Sequence, residues 1–146
     1  MTGKKMKTIA LVFILLMFGS TFTYALLNSL RGSGKEIQIP QDRILNYELN
    51  EEQRRYLLTR GFTLIEYSYP TGCLECINVK NNLERITQIS DGQIFLQELI
   101  KEGTPKLTIT SWNGGKTLND PKSKEAETLI CDLLIEKPLW CVSSKI

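Results

Sequence analysis

At 146 residues the chain has room for one domain and a short accessory segment, and 42% hydrophobic with 23% charged residues is ordinary globular usage that excludes collagen-like and wholly disordered classes. It contains no histidine, which removes Ser-His-Asp and Cys-His nucleophiles, H-E-x-x-H zinc sites and His-ligated haem. The formal charge of +2 is uneven: Lys4, Lys5, Lys7 and Arg31 stand in an opening stretch without acids, and beyond it 16 acidic residues outnumber the remaining 14 basic ones, so nothing argues for nucleic acid as a partner.

Thr8 to Leu30 is a run of 23 uncharged residues rich in Leu, Ile, Val, Phe, Met and Ala. As a helix at about 1.5 Å per residue it reaches roughly 34 Å, enough to cross a hydrocarbon core of about 30 Å. Three lysines precede it. The positive-inside tendency therefore predicts a cytoplasmic segment at 1–7, a transmembrane signal-anchor helix at 8–30, and an exported remainder at the cell membrane. The competing reading is a signal peptide cleaved near Thr23 and Ala25, with secretion of the rest; the apolar run continuing through Leu26, Leu27 and Leu30 speaks against it. Residues 31–45, with Arg31-Gly32-Ser33-Gly34-Lys35 and Pro40, read as a linker, and 46–146 as an extracytoplasmic domain.

Within that domain Asn50, with Gln53 three places on, opens a short helix that Arg60 and Gly61 close. Phe62 to Ser68 reads as a strand whose one charge is Glu66, ended by Pro70-Thr71-Gly72. Leu74, Ile77, Leu83, Ile86 and Ile89 mark a helix from Cys73 to Ile89, closed by Asp91-Gly92. Gln93 to Leu99 is a short apolar run suited to a buried strand, and Gly103-Thr104-Pro105 breaks the chain after it. Lys106 to Trp112 alternates, and Asn113-Gly114 signals a two-residue hairpin into a partner strand through Leu118. Asp120-Pro121 predicts the cap and first position of a last helix, with Ala126, Leu129, Ile130, Leu133 and Leu134 on one stripe, until Pro138 stops it. A parallel strand-helix-strand unit with an added hairpin makes an α/β sandwich around a mixed sheet.

The chemistry lies at Cys73-Leu74-Glu75-Cys76, a C-x-x-C at a strand-to-helix junction. A thiol there faces unsatisfied backbone N–H groups and the positive end of the helix dipole, which favour the thiolate and attack on a disulfide. Cys73 is the candidate attacking thiol. Cys76, almost one turn on, can close an intramolecular disulfide and release a mixed-disulfide partner, so it is the candidate resolving thiol. Gly115-Lys116-Thr117 matches only the end of a phosphate-binding loop, since Thr110 stands where a glycine is needed.

Here the chain resembles the thioredoxin superfamily, over roughly Glu51 to Leu134. The resemblance rests on the strand ending in Tyr67-Ser68-Tyr69-Pro70, the dithiol opening a helix, and Thr104-Pro105 before the hairpin at Asn113-Gly114. It implies a three-layer sandwich, a mixed central sheet flanked by helices, with no metal or organic cofactor. It also implies a cis proline at Pro105 lying against the dithiol, with the backbone of Thr104 pairing with a bound substrate peptide. A buried acid on the central strand that relays a proton to the resolving cysteine is matched by Glu66, at an offset of one residue. The implied activity is thiol:disulfide exchange on protein substrates, recharged by a membrane or extracytoplasmic redox partner.

The motif departs from Trp-Cys-Gly-Pro-Cys, since Gly72 precedes Cys73 and Leu74-Glu75 lie between the thiols, so recognition by thioredoxin reductase does not follow. The stretch from Leu99 to Pro105 is too short for a full helix, which predicts a trimmed face there. Glu75 brings a negative charge near Cys73 and predicts a less oxidising couple than one with histidine in the motif. Other readings of the cysteines stay open. The four could form a zinc site, although the spacing of Cys131 and Cys141 is unlike a ribbon or finger; Cys73-Cys76 could be an inert disulfide; or the domain could be a redox-inert thioredoxin-like binding subunit of a membrane assembly. For Cys131 and Cys141, Pro138 lets the tail double back, which favours a structural staple over a second redox pair.

Overall fold

The computed structural model describes residues 37–143, together with Ile9, 12–14, 16–19 and Thr23. The chain divides into two units, Met1–Ile37 and Gln38–Ile146. Most of the expected membrane-spanning segment 8–30 lies outside the described residues, and among those described no helix is long and apolar enough to cross a membrane.

The second unit runs β1 (Ile44–Leu45), α1 (Glu51–Thr59), β2 (Thr63–Tyr69), α2 (Leu74–Ile89), β3 (Ile94–Ile100), β4 (Lys106–Ser111), β5 (Gly114–Asn119), α3 (Ser123–Leu133) and α4 (Leu139–Ser143). The sheet has order β1-β3-β2-β4-β5. β3 pairs in parallel with β1 and β2, and β4 runs antiparallel to β2 and β5, so the sheet is mixed as expected. Three layers result. On one face Ile65, Leu96, Leu107 and Ile109 pack against Leu83 and Ile86 of α2 and Ile130 of α3; on the other, Leu64 and Phe95 pack with Leu57 of α1 and with Leu45 and Leu49.

Local chemistry explains both ends of α1. Asn50 and Gln53 exchange side-chain to backbone hydrogen bonds at 2.8 and 3.1 Å, satisfying two otherwise orphan donors at the start of α1. Gly61, at φ +85°, takes the left-handed conformation that lets the chain leave α1 for β2.

Four features differ from the sequence expectation. β1 occupies the end of the expected 31–45 linker: its two residues are too few to show a period, and it is a strand only because β3 pairs with it. The hairpin turn is Trp112-Asn113 rather than Asn113-Gly114, because Ser111 and Gly114 pair and Gly114 already belongs to β5. α3 starts at Ser123 instead of beside Asp120-Pro121. Asp120 sits at φ +51° and its N–H donates to the Pro105 carbonyl at 2.7 Å, which ties the end of β5 to the start of β4 before the chain can turn into a helix. Finally, α3 ends at Leu133 before Pro138 is reached, and the short α4 follows that proline.

Candidate functional site

β2 carries the chain into the site and α2 carries it out. Between them Pro70-Thr71-Gly72 turns the backbone, with Gly72 at φ +80°, a conformation other residues adopt at a cost. Cys73 is the N-cap of α2, and its Sγ accepts a hydrogen bond from the N–H of Cys76 at 3.2 Å. Cys73 and Cys76 are joined in a disulfide. Cys76 is 3% exposed while Cys73 is half-buried, so an incoming sulfur reaches Cys73 first.

Two effects compete over a thiolate at Cys73. The end of the helix dipole favours it by about 0.3–1 kcal/mol. The exposed Glu75 carboxylate opposes it by about 1 kcal/mol if a few ångströms away in water, so those two nearly cancel. The Cys76 N–H, already bonded to this sulfur, is the group through which the helix end favours the thiolate.

A groove of about 240 Å³ runs along the disulfide, lined by Tyr67, Cys73, Cys76, Pro105, Asp120 and Ser123 among others. The structure therefore brings Pro105 to the dithiol, 29 residues after Cys76. The expected cis bond is not there: among the described residues no peptide bond is cis, and Thr104-Pro105 is trans. Trans is favoured by only about 0.5–1 kcal/mol at an X-Pro bond, so surroundings decide the isomer, and here the Pro105 carbonyl is held by Asp120. Thr104 is exposed and does not line the groove.

Glu66 is misassigned as a relay. It lies on the sheet face away from the dithiol, where its Oε2 meets Arg54 Nη1 of α1 at 2.9 Å and its Oε1 lies 3.9 Å from Lys101 Nζ. The one-residue offset is decisive, because successive strand residues point to opposite faces. Tyr67 stands on the dithiol face instead, fully buried, and its hydroxyl donates to the Cys76 carbonyl at 3.5 Å. Burial, with smaller contributions from Tyr69 and Asp120, pushes this phenol up to about 12, so it remains a proton-bearing donor at any physiological pH.

A buried acid does exist on this face, one strand over. Glu98 of β3 is the register partner of Tyr67 and is 5% exposed. Its Oε2 lies 3.4 Å from Lys80 Nζ, its Oε1 has no hydrogen-bond partner, and Lys80 also meets Glu84 at 2.9 Å. Burial holds the Glu98 carboxyl above its ordinary range, an effect that Lys80 only partly offsets. The Lys80 ammonium is raised, chiefly by its hydrogen bond to Glu84. Cys76, Lys80 and Glu84 follow one another at i, i+4 and i+8, a single stripe of α2. That spacing was present in the sequence; its juxtaposition with Glu98 was not.

The raised Glu98 has a testable sign. Its charged form is disfavoured in the folded chain, so wild-type stability is greatest below the ordinary carboxylate range and declines as pH rises through the raised value. Glu98→Gln removes that decline. Urea unfolding at pH 4 and pH 7 is expected to show the variant gaining on wild type between the two, and a constant difference would refute the assignment.

Cys131 and Cys141 form the second disulfide, joining α3 to α4, and both are buried. Among the described residues no three His, Cys, Asp or Glu side chains gather as a metal would require, so the four-cysteine zinc reading has no geometric support.

No family model and no curated protein matches the chain. Among solved structures the chain is similar to chloroplastic thioredoxin z, with a TM-score of 0.47 and 14% identity, over 66% of this chain and 96% of that one.

Proposed function

We propose that this chain is a thioredoxin-like thiol:disulfide oxidoreductase, anchored by its N-terminal apolar segment with the domain on the extracytoplasmic side. The observation that carries the redox reading is the Cys73-Cys76 disulfide at the N-terminus of α2, its attacking sulfur accessible and hydrogen-bonded to the helix backbone. The 23 uncharged residues after three lysines support the anchor.

In the reducing direction the Cys73 thiolate attacks one sulfur of a client disulfide. The client S–S bond breaks, the departing client sulfur leaves as a thiolate that takes up a proton, and Cys73 is held in a mixed disulfide. Cys76 then loses its proton, attacks Cys73 sulfur and expels the second client thiol. The client is reduced by two electrons and Cys73-Cys76 is oxidised by two; a dithiol partner, by the same exchange, restores it. In the oxidising direction each step runs backward.

The test is the reduction potential of the Cys73-Cys76 couple in the full-length chain, by equilibration with glutathione or dithiothreitol and alkylation of free thiols. The reading expects a reversible couple between roughly −120 and −270 mV, the range of thioredoxin-type catalysts. A bond that resists reduction well below about −300 mV behaves as structural and leaves a redox-inert binding module in its place.

A further inference from the structure

The dithiol groove does not end at Ser123. Lys122, which lines it, also lines a second and larger groove of about 430 Å³ between β5 and α3, whose other walls include Leu118, Thr128, Leu129 and Asp132. Two leucines form its apolar side, and the charges there are of both signs, Lys122 and Lys124 against Glu125 and Asp132. An occupant of net charge is therefore not selected; an apolar side chain is.

Beside this groove lies β5, the last strand in the sheet order, so among the described residues no strand pairs with its outer edge. It is six residues long, free of proline, almost wholly exposed, and Lys116 is its one charge. Edge strands usually discourage further pairing by charge, proline or brevity, and this one barely does. Its direction matters as well. Asn119 pairs with Lys106, next to Pro105, and Asp120 N–H bonds the Pro105 carbonyl, so the C-terminal end of β5 abuts the dithiol groove.

We infer that the β5 edge and the β5-α3 groove together bind an extended segment of a client polypeptide, main chain on the strand edge and an apolar side chain in the groove, while the client cysteine lies at Cys73. This rests on the exchange reading above and names its substrate class: unfolded or extended chains with an apolar residue a few positions from the cysteine.

The test uses the full-length chain and synthetic peptides about twelve residues long, each with one cysteine as its glutathione mixed disulfide and a leucine roughly two to six positions away. A matched peptide carries serine for leucine. One leucine position is expected to raise kcat/KM about tenfold over the serine peptide, and Thr128→Arg, an exposed groove-rim change, is expected to abolish that gain while leaving the serine peptide and oxidised glutathione unaffected. Equal rates for leucine and serine peptides, or a Thr128→Arg loss shared by all substrates, overturn the proposal. Binding of a fluorescent cysteine-free leucine peptide, read by polarisation, needs no thiol chemistry. If exchange is absent yet this peptide binds and Thr128→Arg releases it, the groove stands and the redox reading falls; if exchange is present and the peptide does not bind in a leucine-dependent way, the reverse holds. Concentration-dependent dimerisation that Thr128→Arg abolishes assigns the groove to a second copy and overturns the client assignment.

Discussion

Replacing Cys73 with serine is expected to bring disulfide exchange down to the uncatalysed background, whereas Cys76→Ser is expected to accumulate a stable mixed disulfide with the client. The asymmetry comes from accessibility and order of attack. Cys73 is half-buried and caps α2, so an incoming disulfide meets it; Cys76 is buried beneath it and can act only on a sulfur already bound to Cys73. A serine hydroxyl at position 73 keeps the cap, so helix α2 persists and the loss is chemical. Insulin reduction with dithiothreitol measures the first variant, and non-reducing electrophoresis with mass analysis detects the trapped adduct of the second. If both variants kept wild-type turnover, exchange would have to be assigned elsewhere, and if Cys76→Ser alone trapped nothing, the division of roles between the two thiols would be wrong.

The Cys131-Cys141 bond is expected to contribute stability and no turnover. It closes a loop with sequence separation 10, for which the chain-entropy treatment gives roughly 3 kcal/mol. Both sulfurs are buried in the main core, so replacement by a pair of alanines also removes packing. For a domain of about 100 residues, 1 kcal/mol moves Tm by about 4–8 °C, so the Cys131→Ala, Cys141→Ala double variant is expected to melt at least about 10 °C lower. Its exchange rate below that temperature is expected to match wild type. Thermal unfolding followed by circular dichroism gives the first number, and insulin reduction at 20 °C the second. A fall in exchange with an unchanged Tm would make this pair a second redox centre.

How far the sequence could be read depended on whether the signal was local. The α1 capping box, the dithiol at a helix start and the alternation of Lys106 to Ser111 involve neighbours within a few residues, and the structure contains all three. The Asp120-Pro121 signal was equally local yet misled, because a backbone bond to Pro105, fifteen residues away, took priority over the helix. Glu66 failed for another reason. β2 is central and apolar on both faces, with Leu64 on one side and Ile65 on the other, so no polar face labels which side the dithiol occupies. One residue of parity then separates an acid paired with Arg54 from a phenol bonded to Cys76.

The sequence by itself pointed to the helices and strands between Asn50 and Leu133, to the C-x-x-C at the start of α2 and to the apolar N-terminal run, because each is written in composition or spacing over a turn or two of chain. Only the tertiary structure decided that Tyr67 and Glu98 share the dithiol face, that Thr104-Pro105 is trans, and that the C-terminal end of β5 lies beside the dithiol groove. Those facts depend on strand register and crossover, where residues far apart in the chain meet, and pairing free energy is summed over a whole strand before any one side chain is assigned its face.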